Sequence, residues 1–282
     1  MRDHRPSRTA IAVAILRSAH QLVDSPLIFE DPLALQILRP YADKVRDAAR
    51  KDRPQLFLRG RMLRLFAAVR SRFSEDELAK AVARGVGQYV LMGAGLDTFA
   101  YRNPHPGLRV FEVDHPATQR WKRSLLEDTG IAVPSETVFV PVNFERDSLP
   151  RKLAEAGFRA DEPAFFAWLG VVPYLTEDAF VSTVNLIAFM PEGSGVVFDY
   201  AADKSKLGLM ERASRNLIAW YLARAGEPIR LFFDPVEMSA RITAMGFRYV
   251  ENLSSNEINA RYCLEGRSRL QLRGLRIISA RI

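Results

Sequence analysis

One glycine turn, Gly93-Ala94-Gly95, limits most strongly what this chain can fold into. The run before it, Tyr89 to Met92, is continuously apolar, which is typical of a parallel strand buried on both faces. A second apolar run, Val110 to Val113, ends at Asp114. Glycines allow the backbone to turn tightly or to approach a ligand closely, because they carry no Cβ atom. The pattern therefore predicts an α/β fold with a nucleotide-like ligand at the turn.

The spacing between the turn and the next carboxylates favours a nucleoside. Asp114 follows the turn by about 20 residues, where nucleotide-binding α/β folds place the acceptor for the ribose hydroxyl groups. Glu112 lies near the same spacing and is the alternative acceptor. The third glycine of the dinucleotide fingerprint would fall at Thr98, followed by bulky Phe99, and both oppose close packing of a pyrophosphate. A nucleoside is thus favoured over NAD, with an NAD(P)-dependent oxidoreductase as an alternative.

Four sequence blocks resemble the leucine carboxyl methyltransferase-like family, and more closely its bacterial branch of S-adenosyl-L-methionine-dependent methyltransferases. The blocks are 90–98 (VLMGAGLDT), 111–116 (FEVDHP), 143–149 (NFERDSL) and 168–176 (WLGVVPYLT). The resemblance implies S-adenosyl-L-methionine as the cofactor. It also implies an α/β fold with a Rossmann-like class I methyltransferase sheet, mostly parallel with an antiparallel C-terminal hairpin, and an N-terminal helical cap.

The resemblance also implies which residues bind the cofactor. In the family, an arginine ahead of the first strand pairs with the carboxylate of the cofactor's methionine part. Arg70 and Arg72 match that place. Arg70 is the first choice, and a guanidinium suits the task because it holds a carboxylate with two hydrogen bonds and keeps its charge. The expected cofactor-binding residues are Arg70, Arg72, Gly93, Ala94, Gly95, Asp114, Asn143, Phe144, Leu169 and Gly170.

The chain departs from the family pattern at two places. Asn143 stands where the family usually has an aspartate that accepts from the adenine amino group, and the N–H of Phe144 is expected to donate to the ring. An amide oxygen can accept the same hydrogen bond, but it carries no charge. The glutamate that related carboxyl methyltransferases have just before Gly170 is missing, because Trp168 and Leu169 stand there. A protein that binds the cofactor without catalysis is therefore a further alternative.

Methyl transfer from a sulfonium needs little from side chains beyond positioning. It is an in-line displacement, and alignment of the reactants can lower the barrier by about 7 to 11 kcal/mol. A carboxylate acceptor is ionised at neutral pH and needs no general base. The sequence shows no evident Ser-His-Asp, Cys-His or metal-ligand constellation, so the catalytic residues are unknown and no metal is expected. The expected acceptor is a small carboxylic acid or phenol, and the pocket candidates are Tyr174, Tyr200 and Arg17.

Composition and charge narrow the partners and the setting. The formal net charge of +7 fits an anionic acceptor, whereas the arginines are dispersed and form no block of like charges, which disfavours nucleic acid. One cysteine gives no disulfide framework, so a cytoplasmic protein is expected. We expect no signal peptide, and no apolar run reaches the roughly 18 to 20 residues of a membrane span. The sequence does not indicate the oligomeric state.

Residues 1–282 are expected to form a single methyltransferase domain. A helical cap is predicted over residues 1–86 and a Rossmann-like core over residues 87–282, with a helical insertion near residues 204–235. The β-branched and apolar runs predict the later strands of the core at 137–142, 164–169 and 195–200, and a closing antiparallel pair at 247–253 and 275–280.

Overall fold

A computed structural model describes residues 7–50, 54–144, 146–203, 229–262, 264–271 and 274–282. Its strands are β1 (Gln88–Met92), β2 (Arg109–Asp114), β3 (Thr137–Pro141), β4 (Ala164–Trp168), β5 (Gly195–Ala201), β6 (Tyr249–Leu253) and β7 (Leu275–Arg281). They form one seven-stranded sheet in the order β3-β2-β1-β4-β5-β7-β6. Strands β1 to β5 pair in parallel, and β7 runs antiparallel to both β5 and β6. The predicted mostly parallel sheet with an antiparallel C-terminal pair is confirmed.

Helices connect and cover these strands. They are α1 (Arg8–Val23), α2 (Ala34–Ile37), α3 (Ala42–Arg50), α4 (Pro54–Ala83), α5 (Pro116–Thr129), α6 (Leu149–Glu155), α7 (Glu177–Ala188), α8 (Pro235–Ala244) and α9 (Ser255–Arg261). Most of the predicted insertion near 204–235 lies outside the described residues. Within the described part of the chain, no helix is both long enough and apolar enough to span a membrane.

The strand order places a ligand site between β1 and β4. From β1 the chain moves outward to β2 and β3, and then returns to β4 on the other side of β1. Parallel strands on the two sides of such a reversal end at the same edge, and the loops that follow them diverge and leave a crevice. Gly93 follows the last residue of β1, and Leu169 follows the last residue of β4.

Both faces of the sheet are buried, which explains the continuously apolar strands. Alternate residues of β1 point to opposite faces, so Tyr89 and Leu91 belong to one core cluster and Val90 and Met92 to another. The first cluster includes apolar residues of α4, and the second includes those of α7 and α8. Helix α4 therefore shares a core with the strands that it precedes.

Helix α1 is fixed to α4 by a buried set of polar groups. Arg64 donates to both oxygens of Asp24 at 2.8 and 2.9 Å. His20 Nδ1 lies 2.7 Å from Asp24, and its Nε2 accepts from the N–H groups of Ile28 and Phe29. Burial alone would raise the pKa of Asp24, but the hydrogen bonds from Arg64 and His20 lower this pKa to about 2. The carboxylate therefore stays charged where the C-terminal end of α1 meets α4.

Candidate active site

A cavity of about 290 Å³ lies at the carboxyl ends of β1, β2 and β4. Its walls come from the glycine turn after β1, from Asp114 at the end of β2, and from the loops after β3 and β4. Helix α1 lines it with Ala10, Val13 and Arg17. Every residue expected at the cofactor except Arg72 lines this cavity: Arg70, Gly93, Ala94, Gly95, Asp114, Asn143, Phe144, Leu169 and Gly170.

The glycine turn requires its glycines because other groups approach it closely. Gly93 has a φ of 71°, in the left-handed region, and a Cβ atom there would overlap the side chain of Val171. A Cβ atom on Gly95 would lie 3.3 Å from the Cβ atom of Ala10 in α1. The N–H groups of Gly93 and Ala94 both donate to the carbonyl of Val113, at 2.8 and 3.0 Å. The turn is thus held against β2 and covered by α1.

Asp114 faces the cavity, and backbone groups fix its carboxylate. Its Oδ2 accepts from the N–H of Gly95 at 2.5 Å, and its Oδ1 accepts from the N–H of His115 at 2.6 Å. These two backbone contacts fix the orientation of the carboxylate at the cavity.

Glu112, the alternative acceptor, is placed elsewhere. It is 1% exposed, and its two oxygens accept from Lys122 Nζ at 2.7 Å and from the hydroxyl of Tyr101 at 3.0 Å. Burial raises the pKa of Glu112 even though Lys122 lies beside it. Glu112 does not line the cavity and belongs to a buried ion pair.

Only one of the two expected arginines faces the cavity. Arg70 lines it, and Arg70 Nη1 donates to Asp199 Oδ2 at 3.0 Å. Arg72 lies two residues further along the same helix, so its side chain points roughly 200° away. It is exposed and donates to Asp76 at 2.8 Å. The structure therefore places Arg70 at the cavity and Arg72 away from it, and a cofactor-binding role for Arg70 stays a prediction.

Arg17 faces the cavity but is engaged by its own chain. Its Nη1 donates to Asp97 Oδ2 at 2.8 Å, and its Nη2 donates to the carbonyl of Leu96 at 3.0 Å. The same Nη2 lies 3.1 Å from Asp31, a buried carboxylate that the hydroxyl of Thr98 also contacts. Through these bonds Arg17 ties α1 to the segment that follows the glycine turn.

Asp97 also lines the cavity, and sequence reasoning missed it. Burial alone would raise its pKa, but the charges of Arg17 and Arg102 outweigh burial, so the pKa of Asp97 lies below its ordinary value. The signal that could have found it is its place in the 90–98 block, four residues after Gly93.

The other wall comes from the ends of β3 and β4. Asn143 and Phe144 line the cavity after β3, and the backbone N–H of Asn143 donates to Asp147 at 2.8 Å. Leu169 and Gly170 line it after β4. Among the described residues, no group of three or more His, Cys, Asp or Glu side chains could hold a metal ion.

The three candidates for the acceptor pocket differ in whether they line the cavity. Tyr174 and Arg17 line the cavity, whereas Tyr200 does not. Tyr200 is 1% exposed, and its hydroxyl bonds to the amide of Asn252. Consecutive strand residues point to opposite faces, and Asp199 takes the side toward Arg70. The expectation for Tyr200 is therefore corrected.

Arg230 is a cavity residue that sequence reasoning did not single out. It is exposed, and its backbone N–H donates to the carbonyl of Pro173 at 2.7 Å. It comes beside Tyr174 only through folding, since more than fifty residues separate the two. No local sequence pattern marks it.

Comparison with known proteins places this architecture in a family. The family model for leucine carboxyl methyltransferase matches residues 10–188. The chain belongs to the leucine carboxyl methyltransferase family. The matched segment of this family member runs from α1 to α7 and includes the glycine turn, Asp114, Asn143 and Gly170.

Two relatives of this family member extend the likeness. One from Bacillus subtilis, "Putative S-adenosyl-L-methionine-dependent methyltransferase YktD", is 30% identical over 282 residues, with 92% of each chain covered. Another, from Mycobacterium sp. (strain JLS), is named "Putative S-adenosyl-L-methionine-dependent methyltransferase" and is 39% identical over 178 residues. That alignment covers 60% of this chain and 66% of the relative.

Solved structures support the fold of this family member. A crystal structure of a "putative methyltransferase" from Thermobifida fusca matches with a TM-score of 0.59 at 16% identity, covering 98% of this chain and 95% of the other. A DUF574 family protein from Streptomyces avermitilis matches with a TM-score of 0.58 at 14% identity, covering 98% and 97%. At such identities the likeness concerns the fold alone. The predicted class I methyltransferase fold is confirmed.

Proposed function

We propose that this protein transfers a methyl group from S-adenosyl-L-methionine to an oxygen atom of a small anionic acceptor, a carboxylic acid or a phenol. The coarser activity, S-adenosyl-L-methionine-dependent methyl transfer, follows from the family and from the relatives. The observation that carries the finer proposal is one cavity that presents a carboxylate, Asp114, a buried guanidinium, Arg70, and an exposed guanidinium, Arg230.

The residues around the cavity fit the cofactor by their chemistry. A carboxylate such as Asp114 suits two ribose hydroxyls, and a guanidinium such as Arg70 suits an amino-acid carboxylate. Gly93 lets Val171, and Gly170 lets Arg70, pack directly against the backbone of the cavity wall. Asn143 and the N–H of Phe144 supply an acceptor and a donor for adenine. We propose these roles for the residues that line the cavity, with Ala94, Gly95 and Leu169 as neighbouring walls.

The cofactor, when bound, supplies a methyl group on a positively charged sulfur. The side chains must then align the acceptor and keep water away. In this proposal Asp114 and Arg70 fix the two ends of the cofactor, and apolar residues such as Val13 and Leu169 exclude water. Alignment of this kind can lower the barrier by about 7 to 11 kcal/mol. In this proposal the protein contributes by aligning the acceptor with the cofactor and by excluding water from the cavity.

The cavity favours a carboxylate over a phenol. A phenol has a pKa near 10 and needs a base at neutral pH, whereas a carboxylate is already ionised. Among the described residues that line the cavity, the histidine is His115, and its Nδ1 accepts from the N–H of Ala117 at 3.2 Å. That contact caps α5 and occupies the nitrogen that a base would use. An acceptor that arrives ionised removes the need for proton transfer.

Arg230 and Tyr174 are the proposed contacts of the acceptor. The carbonyl of Pro173, next to Tyr174, accepts from the N–H groups of Arg230 and Leu231 at 2.7 and 3.2 Å. The N–H of Phe233 donates to the carbonyl of Ala201 at the end of β5. The backbone around Arg230 is therefore bonded to the loop after β4 and to the end of β5, and Arg230 lines the cavity. A net charge of +7 would also attract an anion at long range.

We also propose that the cap and the sheet form a single domain in a reducing, cytoplasmic setting. Residues of α4 and of the strands share one core cluster, which supports one folding unit. The single cysteine supports the setting.

The test is transfer of a tritiated methyl group from the cofactor to matched panels of carboxylic acids and phenols. We expect label in the carboxylic acids, and we expect mild base to release it as methanol, because methyl esters hydrolyse and aryl methyl ethers do not. Label that resists base would place the acceptor among the phenols. Binding of S-adenosylhomocysteine without any transfer would favour a binding protein without catalysis.

Arg230→Met and Arg72→Met form the matched pair of variants for this test. We expect Arg230→Met to raise KM for the carboxylic acids at least tenfold and to leave the affinity for S-adenosylhomocysteine unchanged. Arg72→Met removes an exposed arginine away from the cavity and should change neither quantity. An unchanged KM in Arg230→Met would remove this residue from the acceptor site.

A further inference from the structure

Asp199 connects β5 to two segments that border the cavity, helix α4 and the turn after β4. It lies near the end of β5 and is 2% exposed. Its Oδ2 accepts from Arg70 Nη1 at 3.0 Å, and its Oδ1 accepts from the backbone N–H of Gly170 at 2.5 Å. One carboxylate therefore contacts both the arginine of α4 and the turn after β4. Asp199 itself is not part of the cavity wall.

The guanidinium of Arg70 lies directly against Gly170. Gly170 has a φ of 70°, and a Cβ atom there would lie 2.8 Å from Nη2, 2.9 Å from Nη1 and 3.2 Å from Cζ of Arg70. The ring of Phe66 lies 5.9 Å from the same Cζ. The position of the guanidinium is thus set by a carboxylate, a bare backbone and an aromatic ring.

We propose that Asp199 is a positioning residue, which holds the guanidinium of Arg70 so that its remaining donors face the cavity and bind the carboxylate of the cofactor's methionine part. A guanidinium has five N–H donors, so it can bind a second carboxylate while it keeps the first. Holding the group in advance removes the cost of ordering a long side chain when the ligand binds. This inference rests on the proposed function, because it presumes that the cavity takes the cofactor.

The opposite effect is also physically possible, and the two can be told apart. A carboxylate beside a guanidinium cancels part of its charge and could compete with the ligand. Competition predicts that removal of the negative charge of Asp199 tightens binding. Positioning predicts that the same change weakens binding. The direction of the change in affinity therefore decides between them.

The experiment compares two ligands by calorimetry on the full chain. S-adenosylhomocysteine carries the amino-acid carboxylate, and 5′-methylthioadenosine lacks the amino-acid part but keeps the nucleoside. For Asp199→Asn we expect the affinity for S-adenosylhomocysteine to fall about tenfold and the affinity for 5′-methylthioadenosine to stay within twofold. An equal loss for both ligands would show a merely structural role, and tighter binding of S-adenosylhomocysteine would show competition. Either result overturns the proposal.

Further variants keep the test decisive if Asp199→Asn folds poorly. Asp199→Glu keeps the charge but moves the carboxylate, so positioning predicts a selective loss of S-adenosylhomocysteine and competition predicts none. In an Arg70→Met background, Asp199→Glu should cause no further loss, because Asp199 acts through Arg70. An additional selective loss there would overturn the proposal.

The matched control is Asp76→Asn, which removes a carboxylate of α4 that does not line the cavity and that pairs with Arg72 and the hydroxyl of Tyr262. Both ligands should bind this variant as they bind the parent. Binding of neither ligand to the parent protein would reject the proposed function itself and the inference with it. Binding of both ligands, with equal losses in Asp199→Asn, would reject the inference alone.

Discussion

The two buried arginines of the cavity have different surroundings. Arg17 of α1 donates to Asp97 and lies 3.1 Å from Asp31, so it holds α1 against the segment after the glycine turn. In the described part of the chain, Arg70 of α4 forms an ion pair with one carboxylate, Asp199. The difference suggests a division of roles. Arg17, whose two terminal nitrogens bond to its own chain, holds the frame, whereas Arg70, with one carboxylate partner among the described residues, can still bind a ligand.

The largest effect is expected for Arg17→Met. This variant tests whether Arg17 stabilises the fold by holding α1 in place. The change would leave Asp31 buried without its nearest cation, although Arg102 lies 3.4 Å away. Loss of one partner of a buried ion pair typically costs about 3 to 5 kcal/mol. We expect a decrease of that size in the free energy of unfolding, measured with urea.

Arg72→Met is the control for Arg17→Met, because Arg72 is exposed and pairs only along its own helix in the described part of the chain. Its effect on unfolding should be below about 1 kcal/mol. If Arg17→Met unfolded like the parent protein and lost only affinity for S-adenosylhomocysteine, Arg17 would belong to the ligand side. The proposed division between a structural Arg17 and a ligand-binding Arg70 would then be wrong.

The next effect in size concerns two carboxylates of β2, Asp114 and Glu112. If Asp114 accepts the ribose hydroxyls, Asp114→Ala removes charge-assisted hydrogen bonds worth about 1.5 to 3 kcal/mol. The affinity for S-adenosylhomocysteine should fall roughly ten- to a hundredfold in a folded protein. Glu112→Gln should lower stability and leave the affinity unchanged, because Glu112 pairs with buried Lys122. Unchanged affinity in folded Asp114→Ala would remove Asp114 from the site.

A smaller effect on stability is expected from Asp24, which joins the C-terminal end of α1 to α4 through Arg64. The pKa of Asp24 is about 2 in the folded protein, below its usual value of 3.8, so the carboxylate stabilises the fold above about pH 4. That contribution is lost as the pH falls through about 2. Since water partly screens the pair, Asp24→Asn should cost about 1 to 2 kcal/mol at pH 7.

Urea unfolding of the parent protein and of Asp24→Asn at pH 7 and near pH 2 checks this sign. The difference between the two proteins should shrink as the pH falls. A difference that is as large at pH 2 as at pH 7 would mean that Asp24 acts through packing and not through its charge.

The smallest effect is expected at Asn143, and it concerns the affinity for S-adenosylhomocysteine. Asn143→Asp supplies a charged acceptor for the adenine amino group, and such bonds are roughly twice as strong as neutral ones. The nearby carboxylate of Asp147 offsets part of the gain. We expect binding of S-adenosylhomocysteine to tighten by at most about tenfold, and Asn143→Leu should weaken it. Equal affinity for Leu and Asn at this position would show that residue 143 does not contact adenine.

The fold was predictable from local patterns, because each strand carries its own signal. A short apolar run between turn residues is typical of a buried parallel strand, and the runs that begin at Tyr89 and Ala164 show this pattern. The positions of Gly93 and Asp114 at the cavity were predictable for the same reason, since both residues lie at strand ends. The antiparallel pair at the C-terminus followed from two β-rich runs near the end of the chain.

The remaining parts of the site depend on direction and on long-range contact. Arg70 and Arg72 differ only in the side of α4 to which they belong, and Asp199 and Tyr200 only in the face of β5. A sequence shows which residues alternate but not which face borders a cavity. Arg230 reaches the cavity because its backbone bonds to Pro173, more than fifty residues away. No local propensity carries that information.

The contact between Gly170 and Arg70 also constrains how the family can vary. A side chain at position 170 would occupy the space of the guanidinium at position 70, a hundred residues earlier in the chain. Alanine at position 170 would be strained by the left-handed backbone there and would have to displace the guanidinium of Arg70 from its contact with Asp199. Positions 70 and 170 should accordingly change together among related chains, or not at all.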